Sequence, residues 1–227
     1  MSIINNNFKI GSIYRFILSN NIDNNWRILC VNGSLNTIEL INKFMKYFKD
    51  DVKCWRYLCY SGSLNTIELI NKFMKYIKND IHCWRYLCES GSINSIEKID
   101  RYLEYIKNDK YCWRNLCRNS EGINSIEKID IYLKYIKNDK YCWRYLCYSG
   151  SLNFTESIDK YFEYIENDEK CWKNLCLSIK GINSIQKIDK YFEYIKNDEE
   201  CWKNLCLSGS LNSTEIINKY LHTFISS

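Results

Sequence analysis

The sequence predicts an all-α fold, an α-solenoid of about seven stacked helix-turn-helix repeats. The main observation is a recurring phrase, CWRYLC in its fullest form. Its tryptophan returns every 29 or 30 residues, as Trp26, Trp55, Trp84, Trp113, Trp143, Trp172 and Trp202. Seven of the eight glycines keep the same register, and so does a pair of Asn with Glu or Gln. A fixed period of this size is typical of supersecondary units that bury their apolar faces by stacking on one another.

The first half of each repeat predicts a short helix that ends in a glycine turn. In residues 80–109, Trp84, Leu87 and Cys88 have the i, i+3, i+4 spacing of one helix face. Gly91 follows, and a glycine just past a helix end commonly adopts the left-handed conformation that closes the helix. The equivalent glycines are Gly33, Gly62, Gly122, Gly150, Gly181 and Gly209, with Gly11 in a truncated first unit.

The second half of each repeat predicts a longer helix. Asn94 precedes Glu97 by three residues, which is the spacing of a capping box. The equivalent pairs are Asn36/Glu39, Asn65/Glu68, Asn124/Glu127, Asn153/Glu156, Asn183/Gln186 and Asn212/Glu215. The apolar residues that share one face of this helix are Ile96, Ile99, Tyr102, Leu103 and Ile106. Asn108 can close the helix and Asp109 can begin the next one, so only a short link is expected between repeats.

These repeats use nearly the whole chain, so we expect one repeat domain over residues 1–227. The repeats begin near residues 25, 54, 83, 112, 142, 171 and 201. We expect a partial cap at the N-terminal end, about residues 1–24, and the last second helix, 213–225, to cap the C-terminal end. Two repeats are one residue longer, and the extra residue lies in the glycine turn, within 118–122 and 177–181. Insertions at one kind of turn map to one face of a solenoid.

The overall composition excludes few classes of partner. The net charge is +5, from 32 basic and 27 acidic residues, which neither requires nor excludes an anionic partner. No window contains the roughly 18 uninterrupted apolar residues of a membrane helix. The first residues lack the basic and apolar regions of a secretory signal. We therefore expect a cytoplasmic protein that is monomeric and not bound to a membrane.

Residues 55–73, WRYLCYSGSLNTIELINKF, resemble the middle of an ankyrin repeat. Leu58 and Cys59 match the leucine and small residue that end the family's first helix, and Gly62 matches its turn. The positions that match its second helix are Leu64, Ile67, Leu69 and Ile70. The resemblance implies stacked helix pairs of the ankyrin-like kind. The period here is 29 or 30 residues, whereas the family's period is about 33 residues. The shortfall lies in the link, where the family builds a projecting β-hairpin. A shortened or missing hairpin is therefore expected.

The thirteen cysteines occupy two positions of the repeat, which we call the first and second cysteine columns. The first column, directly before the Trp, is Cys54, Cys83, Cys112, Cys142, Cys171 and Cys201, and Asn25 replaces it in one repeat. The second column, four residues after the Trp, is Cys30, Cys59, Cys88, Cys117, Cys147, Cys176 and Cys206. Within one repeat the two lie about 140° apart around a helix, so sharing a metal is difficult. Along one column the spacing of packed helices, roughly 8–10 Å, is too long for a disulfide. We favour small buried apolar side chains; pairing or metal bridging between the columns of adjacent repeats is the alternative.

A basic residue follows every Trp, and this is the best functional signal in the chain. The Trp is expected to be a core residue with a bonded N–H rather than a stacking platform for bases. The basic residues are Arg27, Arg56, Arg85, Arg114, Arg144, Lys173 and Lys203. Such a row could contact an acidic peptide or a phosphate backbone. Ion pairs with acidic residues of the links are the structural explanation, which we favour.

Two other positions of the first helix change from repeat to repeat. They lie two and five residues after the Trp, so they are i, i+3 neighbours on one face, away from the Trp–Leu–Cys stripe. Variation on one face of a uniform stack is expected for a tailored binding surface and also for unconstrained solvent positions. The Tyr and Arg residues here favour binding, because both are common at interface hot spots.

The sequence thus predicts a non-catalytic interaction scaffold that binds a protein partner through the exposed face of the first helices. No nucleophile–base pair, phosphate-binding glycine loop or carboxylate dyad is identifiable, so neither an enzyme, a cofactor nor a metal is expected. Nucleic-acid or other polyanion binding through the basic row is one alternative, and a thiol-based metal or redox protein is another. The predicted partner-binding residues are Arg56, Tyr57, Tyr60, Arg85, Tyr86, Glu89, Arg114, Asn115, Arg118, Arg144, Tyr145, Tyr148, Lys173, Asn174, Lys203 and Asn204.

Overall fold

The computed structural model describes residues 22–152, 155–179, 181–211 and 217–220. The expected N-terminal cap lies almost entirely outside these residues, as does most of the expected C-terminal helix, of which residues 217–220 are helical. The chain divides into two compact units. One comprises Met1–Ile93 and Glu97–Asn108, and the other comprises Asn94–Ile96 and Asp109–Ser227.

The described residues are all-α, as predicted, and contain no strand. The first helices of the repeats are α1 (Ile22–Val31), α3 (Val52–Tyr60), α5 (Ile81–Glu89), α8 (Lys110–Arg118), α10 (Lys140–Tyr148), α13 (Glu169–Leu177) and α16 (Glu199–Leu207). The second helices are α2 (Ile38–Phe44), α4 (Ile67–Ile77), α6 (Ile96–Arg101) with α7 (Leu103–Ile106), α9 (Ile126–Ile136), α11 (Thr155–Lys160) with α12 (Phe162–Ile165), and α14 (Ile185–Lys190) with α15 (Phe192–Ile195).

Successive first helices pack side by side within each unit. In the first unit α1 packs on α3 and α3 on α5, and in the second unit α8, α10, α13 and α16 follow one another in the same way. This confirms the predicted fold class, an α-solenoid of helix-turn-helix repeats. Each of these helices buries one stripe against its neighbours. This packing stabilises the helix, because a helix of nine to eleven residues has little stability alone.

An aspartate of the link begins the first helices, as the sequence predicts. Asp80 is the N-cap of α5, and its Oδ1 accepts a hydrogen bond of 3.0 Å from the backbone N–H of His82. The equivalent N-caps are Asp51, Asp109, Asp139, Asp168 and Asp198. A side-chain oxygen at this position satisfies one of the N–H groups that the first helical turn leaves without a backbone partner.

The predicted Asn/Glu capping box is wrong for α2, α4, α9 and α14, the second helices whose N-caps the structure describes. The N-cap of α4 is Thr66, not Asn65, and the Thr66 Oγ1 accepts a 3.1 Å hydrogen bond from the Leu69 N–H. Other second helices begin in the same way, at Thr37, Ser125 and Ser184. A cap one residue later places Glu68 at the second helical position, too early for the reciprocal bond of a capping box. Glu68 still lies in the first turn, where its negative charge stabilises the helix by interacting with the positive end of the helix dipole.

The glycine turns are of two kinds. Five glycines have the predicted left-handed conformation, with φ between 70° and 79°: Gly33, Gly62, Gly91, Gly150 and Gly209. For Gly122 and Gly181, in the two longer repeats, that prediction is wrong, since neither has a positive φ. A Cβ atom on Gly122 would lie 2.2 Å from the Leu116 carbonyl oxygen, and one on Gly181 would lie 2.1 Å from that of Leu175. Glycine is therefore needed there because the backbone folds tightly over the end of the first helix.

Three of the predicted long second helices are interrupted. Regular helix stops at Tyr102, Tyr161 and Tyr191, while α4 and α9 are continuous. At the interruption the phenol reaches the second helix of the preceding repeat: the Tyr161 O–H donates to Asp130 at 2.9 Å, and the Tyr191 O–H donates to Asp159 at 2.9 Å. The tyrosine is buried, so these bonds satisfy a hydroxyl group that would otherwise have no hydrogen-bond partner in the core.

The tryptophans form the centre of the core, as predicted, but the predicted N–H bond is wrong for Trp26, whose Nε1–H has no hydrogen-bond partner among the described residues. The Trp84 side chain is 1% exposed, and its Nε1–H donates to the Lys78 carbonyl oxygen at 3.2 Å. One ring face stacks on Tyr105 at 4.5 Å between centroids, and Tyr102 packs at 5.5 Å in a tilted arrangement. The same stack joins Trp55 to Tyr76 at 4.4 Å. With both faces covered, these rings cannot serve as stacking platforms for bases.

We expect Trp84→Ala to destabilise the first unit by about 3–5 kcal/mol, because it removes a fully buried indole and leaves a cavity. Chemical denaturation followed by circular dichroism measures this. Tyr111→Ala is the matched control, since Tyr111 is 45% exposed and should cost less than about 1 kcal/mol. Equal losses in the two variants would contradict the central position assigned to the indole.

We also expect Gly122→Ala to cost more stability than Gly62→Ala. At Gly62 an added Cβ meets nothing within 4 Å, so the cost is that of a left-handed Ala, about 1–2 kcal/mol. At Gly122 the Cβ would collide with backbone, which cannot yield without moving the turn. The denaturation midpoints of the two variants test the order, and the reverse order would show that the long turn is not held closed.

Candidate functional site

Five of the basic residues that follow a Trp form an ion pair with the aspartate of the next link. The Arg56 Nε donates to Asp80 Oδ2 at 2.7 Å, so α3 is tied to the N-cap of α5. The equivalent pairs are Arg27–Asp51 at 2.8 Å, Arg114–Asp139 at 2.8 Å, Arg144–Asp168 at 2.9 Å and Lys173–Asp198 at 3.2 Å. The structural explanation for these five cations, ion pairing with the link aspartates, is therefore correct.

Each of these aspartates has two partners at once. Asp80 accepts from the His82 N–H of its own helix and from Arg56 of the preceding repeat. Burial favours the neutral carboxyl, but the bond from Arg56 and the backbone bond outweigh it and hold the pKa of Asp80 below its usual value. The pKa of Asp51 is lowered in the same way by Arg27. The Arg27–Asp51 and Arg56–Asp80 pairs are therefore charged at neutral pH, and each ties one first helix to the start of the next.

Three carboxylates surround Lys173. Its Nζ lies 3.1 Å from Glu200, 3.2 Å from Asp198 and 3.9 Å from Glu169. The hydrogen bonds to Glu200 and Asp198 raise the pKa of this lysine above its ordinary value. Its charge is thus neutralised within the fold, which leaves little to attract a polyanion.

The two variable positions differ in exposure. The position two residues after the Trp is half-buried in six repeats and exposed at Ile28, and there Asn174 and Asn204 have a structural contact that the sequence did not reveal. The Asn174 Nδ2 donates to the Arg144 carbonyl oxygen at 2.9 Å, and the Asn204 Nδ2 donates to that of Lys173 at 3.0 Å. The position five residues after the Trp is exposed, as in Tyr148, which is 57% exposed.

In the second unit the first helices form a groove of about 660 Å³. Seven of the predicted partner-binding residues line it: Arg118, Arg144, Tyr145, Tyr148, Lys173, Asn174 and Asn204. The groove is wide and open on one side, and its lining is about equally polar and apolar. The structure therefore brings these side chains, from four successive first helices, onto one surface, which we call the first-helix groove.

Four further residues, which the sequence prediction missed, also line the first-helix groove: Tyr141, Lys170, Leu177 and Glu200. Leu177 belongs to one of the two variable positions. The other three lie two residues before a Trp, outside those positions. A helical-face count would have found them, because Tyr141, Tyr145 and Tyr148 have the i, i+4, i+7 spacing of one stripe.

Tyr141 forms part of a cation–aromatic cluster along the groove. The Arg114 guanidinium lies 4.2 Å from the centre of the Tyr141 ring, and that of Arg144 lies 5.3 Å from it. Such contacts stabilise by about 0.5–1 kcal/mol when exposed. They orient flat, rigid side chains, which lose little conformational entropy when a partner binds.

The remaining predicted residues lie outside this lining. Arg114, Asn115 and Lys203 are on first helices of the second unit, and Lys203 is exposed. The first unit carries Arg56, Tyr57, Tyr60, Arg85, Tyr86 and Glu89. There the Tyr60 and Tyr86 rings pack edge to face at 5.4 Å, and Tyr60 is 48% exposed. This pair repeats the aromatic character of the first-helix groove.

The described ranges contain neither a cluster of metal ligands nor a membrane-spanning helix. No group of three or more His, Cys, Asp or Glu side chains is placed there to hold a metal ion. None of the helices in those ranges has the length and apolar character needed to cross a bilayer. In comparisons with known proteins, no family model, curated protein or solved structure matches the chain.

We expect Asp80→Asn to lower the free energy of unfolding at pH 7 by about 1–2 kcal/mol, because Asn keeps the cap but loses the charge that binds Arg56. Since the pKa of Asp80 is lowered on folding, this stabilisation is present above the unfolded value of about 3.9 and disappears as the pH falls through the folded value. Urea denaturation between pH 7 and pH 2 measures it.

The control is Glu104→Gln, which breaks an ion pair of similar length at a carboxylate that is 78% exposed. It should have almost no effect at any pH, since exposed pairs contribute little. If the difference between wild type and Asp80→Asn stays constant down to pH 2, the carboxylate is not the source of the stabilisation.

Proposed function

We propose that this protein is a non-catalytic interaction scaffold that binds a peptide segment of a partner protein in the first-helix groove. The observation that carries the proposal is the convergence of Tyr141, Tyr145, Tyr148 and Leu177 in one open groove of the second unit. Tyrosine supplies a large contact area and a polar hydroxyl at low entropic cost, and it is enriched at interface hot spots.

The charge of the groove favours an acidic partner. Four basic side chains line it, Arg118, Arg144, Lys170 and Lys173, against one acidic side chain, Glu200. Asp168 and Asp198 already neutralise Arg144 and Lys173, so the excess positive charge is small. A segment with one or two carboxylates beside an apolar anchor fits this balance better than a uniformly charged polymer does.

Polyanion binding through the basic row has less support. Nucleic-acid affinity depends on cations that release their counterions to phosphate. Five cations of the row, Arg27, Arg56, Arg114, Arg144 and Lys173, instead bind carboxylates of the same chain. A phosphate backbone would have to displace these contacts.

We further infer that the repeats are of a diverged ankyrin-like kind and that the protein functions in a reducing intracellular compartment. The glycine turn between a short and a longer helix supports the first inference. The link between Ile77 and Ile81 leaves no room for a hairpin, which explains the short period. The second inference is supported by thirteen free cysteines, since disulfides persist in oxidising compartments.

Selection of displayed peptides on the full chain tests the binding proposal. We expect the selected peptides to combine Asp or Glu with an aromatic or aliphatic residue. The triple variant Tyr145→Ala, Tyr148→Ala, Leu177→Ala should weaken binding of a selected peptide at least about tenfold, measured by fluorescence anisotropy. Ile131→Ala, which removes a 42% exposed apolar side chain from α9, should bind as wild type does.

Equal binding by the triple variant and wild type would overturn the proposal. A single-stranded oligonucleotide, titrated at two salt concentrations, separates the alternative. Tight binding at low salt that falls steeply as salt rises would identify polyanion binding instead, because counterion release gives that dependence.

A further inference from the structure

The two cysteine columns meet between neighbouring repeats. Within each unit, the second-column thiol of one first helix lies next to the first-column thiol of the following first helix, because successive first helices pack side by side. The described pairs are Cys30 with Cys54, Cys59 with Cys83, Cys117 with Cys142, Cys147 with Cys171, and Cys176 with Cys201. All ten residues are buried free cysteines.

The helix geometry explains why the pairs are always inter-repeat. Two cysteines five residues apart lie about 140° apart around a helix, so they face opposite neighbours. When the first helices pack side by side, one thiol points to the following helix and the other to the preceding helix. The angle that prevents a pair within one repeat therefore produces a pair between packed first helices of the same unit.

The environment keeps the second-column thiols of these pairs neutral. The Cys83 Sγ donates to Asp80 Oδ2 at 3.7 Å, and Asp80 is itself bound by Arg56. Burial, together with the contact from Cys83, raises the pKa of the Cys59 thiol well above its usual value. Because the thiolate is the reactive form, a buried neutral thiol is protected from oxidation while the helices remain packed. Cys206 differs, since it is exposed on α16.

We propose that these dithiols are sites of two-electron oxidation, at which each pair closes into a disulfide that joins consecutive first helices. The oxidant is a small disulfide or azo compound. One thiol loses its proton and attacks the oxidant, giving a mixed adduct. The partner thiol then attacks the adduct sulfur and releases the reduced oxidant, so two thiol hydrogens and two electrons pass to the oxidant.

The proposal is independent of the function proposed for the first-helix groove. It predicts an order of reaction: the exposed Cys206 reacts first, and the buried pairs follow during local opening of the stack. It also predicts a defined set of products, since only thiols already in contact can close without rearranging the helices.

The full-length protein treated with diamide tests this. After remaining thiols are alkylated in denaturant, proteolysis without reductant and mass spectrometry identify the cross-linked peptides. We expect the five pairs above, appearing more slowly than modification of Cys206 and reversing with dithiothreitol. The proposal is overturned if these cysteines stay alkylatable after Cys206 has fully reacted, or if links within one column, such as Cys59 to Cys88, are as abundant.

Two variants keep the result interpretable. Cys59→Ala should abolish the link to Cys83 and leave the other four, and an unchanged helical circular dichroism signal shows that it folds. Cys206→Ser should leave all five links. Oxidised wild type should keep its helical signal and melt at a higher temperature than reduced protein. A lower melting temperature after oxidation would show that the disulfides distort the stack and would contradict the proposal.

Discussion

The contact on which this structure depends is the bridge between a link aspartate and the basic residue of the preceding repeat. Each such carboxylate accepts hydrogen bonds from the start of its own helix and from a cation one repeat earlier, as Asp80 does from His82 and Arg56. Packed apolar surfaces alone tolerate some sliding, because burial has no direction. A charged, directional bond to a helix N-terminus fixes the position of one first helix along the other.

The other interhelical features follow from that fixed register. The Asn174 amide can reach the Arg144 carbonyl, and buried thiols face each other, only if neighbouring helices keep one offset. The first-helix groove depends on it as well, because Tyr145, Asn174 and Asn204 come from three successive helices. The Trp and Leu of the buried stripe are constant, and five of the basic residues bind the next link, whereas the position five residues after the Trp differs between repeats and is exposed. The architecture therefore presents an exposed variable position on a framework of constant contacts.

Most of the fold can be predicted from the sequence because the same pattern of core residues, marked by the Trp, recurs seven times. The buried Trp, the Asp caps and the alternation of helices are all predictable from spacing. The second-helix cap is not, because Asn65 and Thr66 are adjacent and both residue types cap helices well. Nor is the backbone at Gly122, since one added residue replaces a left-handed turn by a close approach to Leu116. The first-helix groove is only partly predictable. Tyr141 and Lys170 line it from a position two residues before the Trp, whereas the predicted variable positions follow the Trp.

The two longer turns show which part of the repeat sets its dimensions. An additional residue near Gly122 or Gly181 is absorbed within the turn, and the first helices on either side keep the same caps, ion pairs and buried stripe. The distance from one repeat to the next is thus set by side chains in contact, not by the length of chain between them. Sequence length at this turn is free to change over evolutionary time, and an engineer can place inserted segments there while leaving the stack itself untouched.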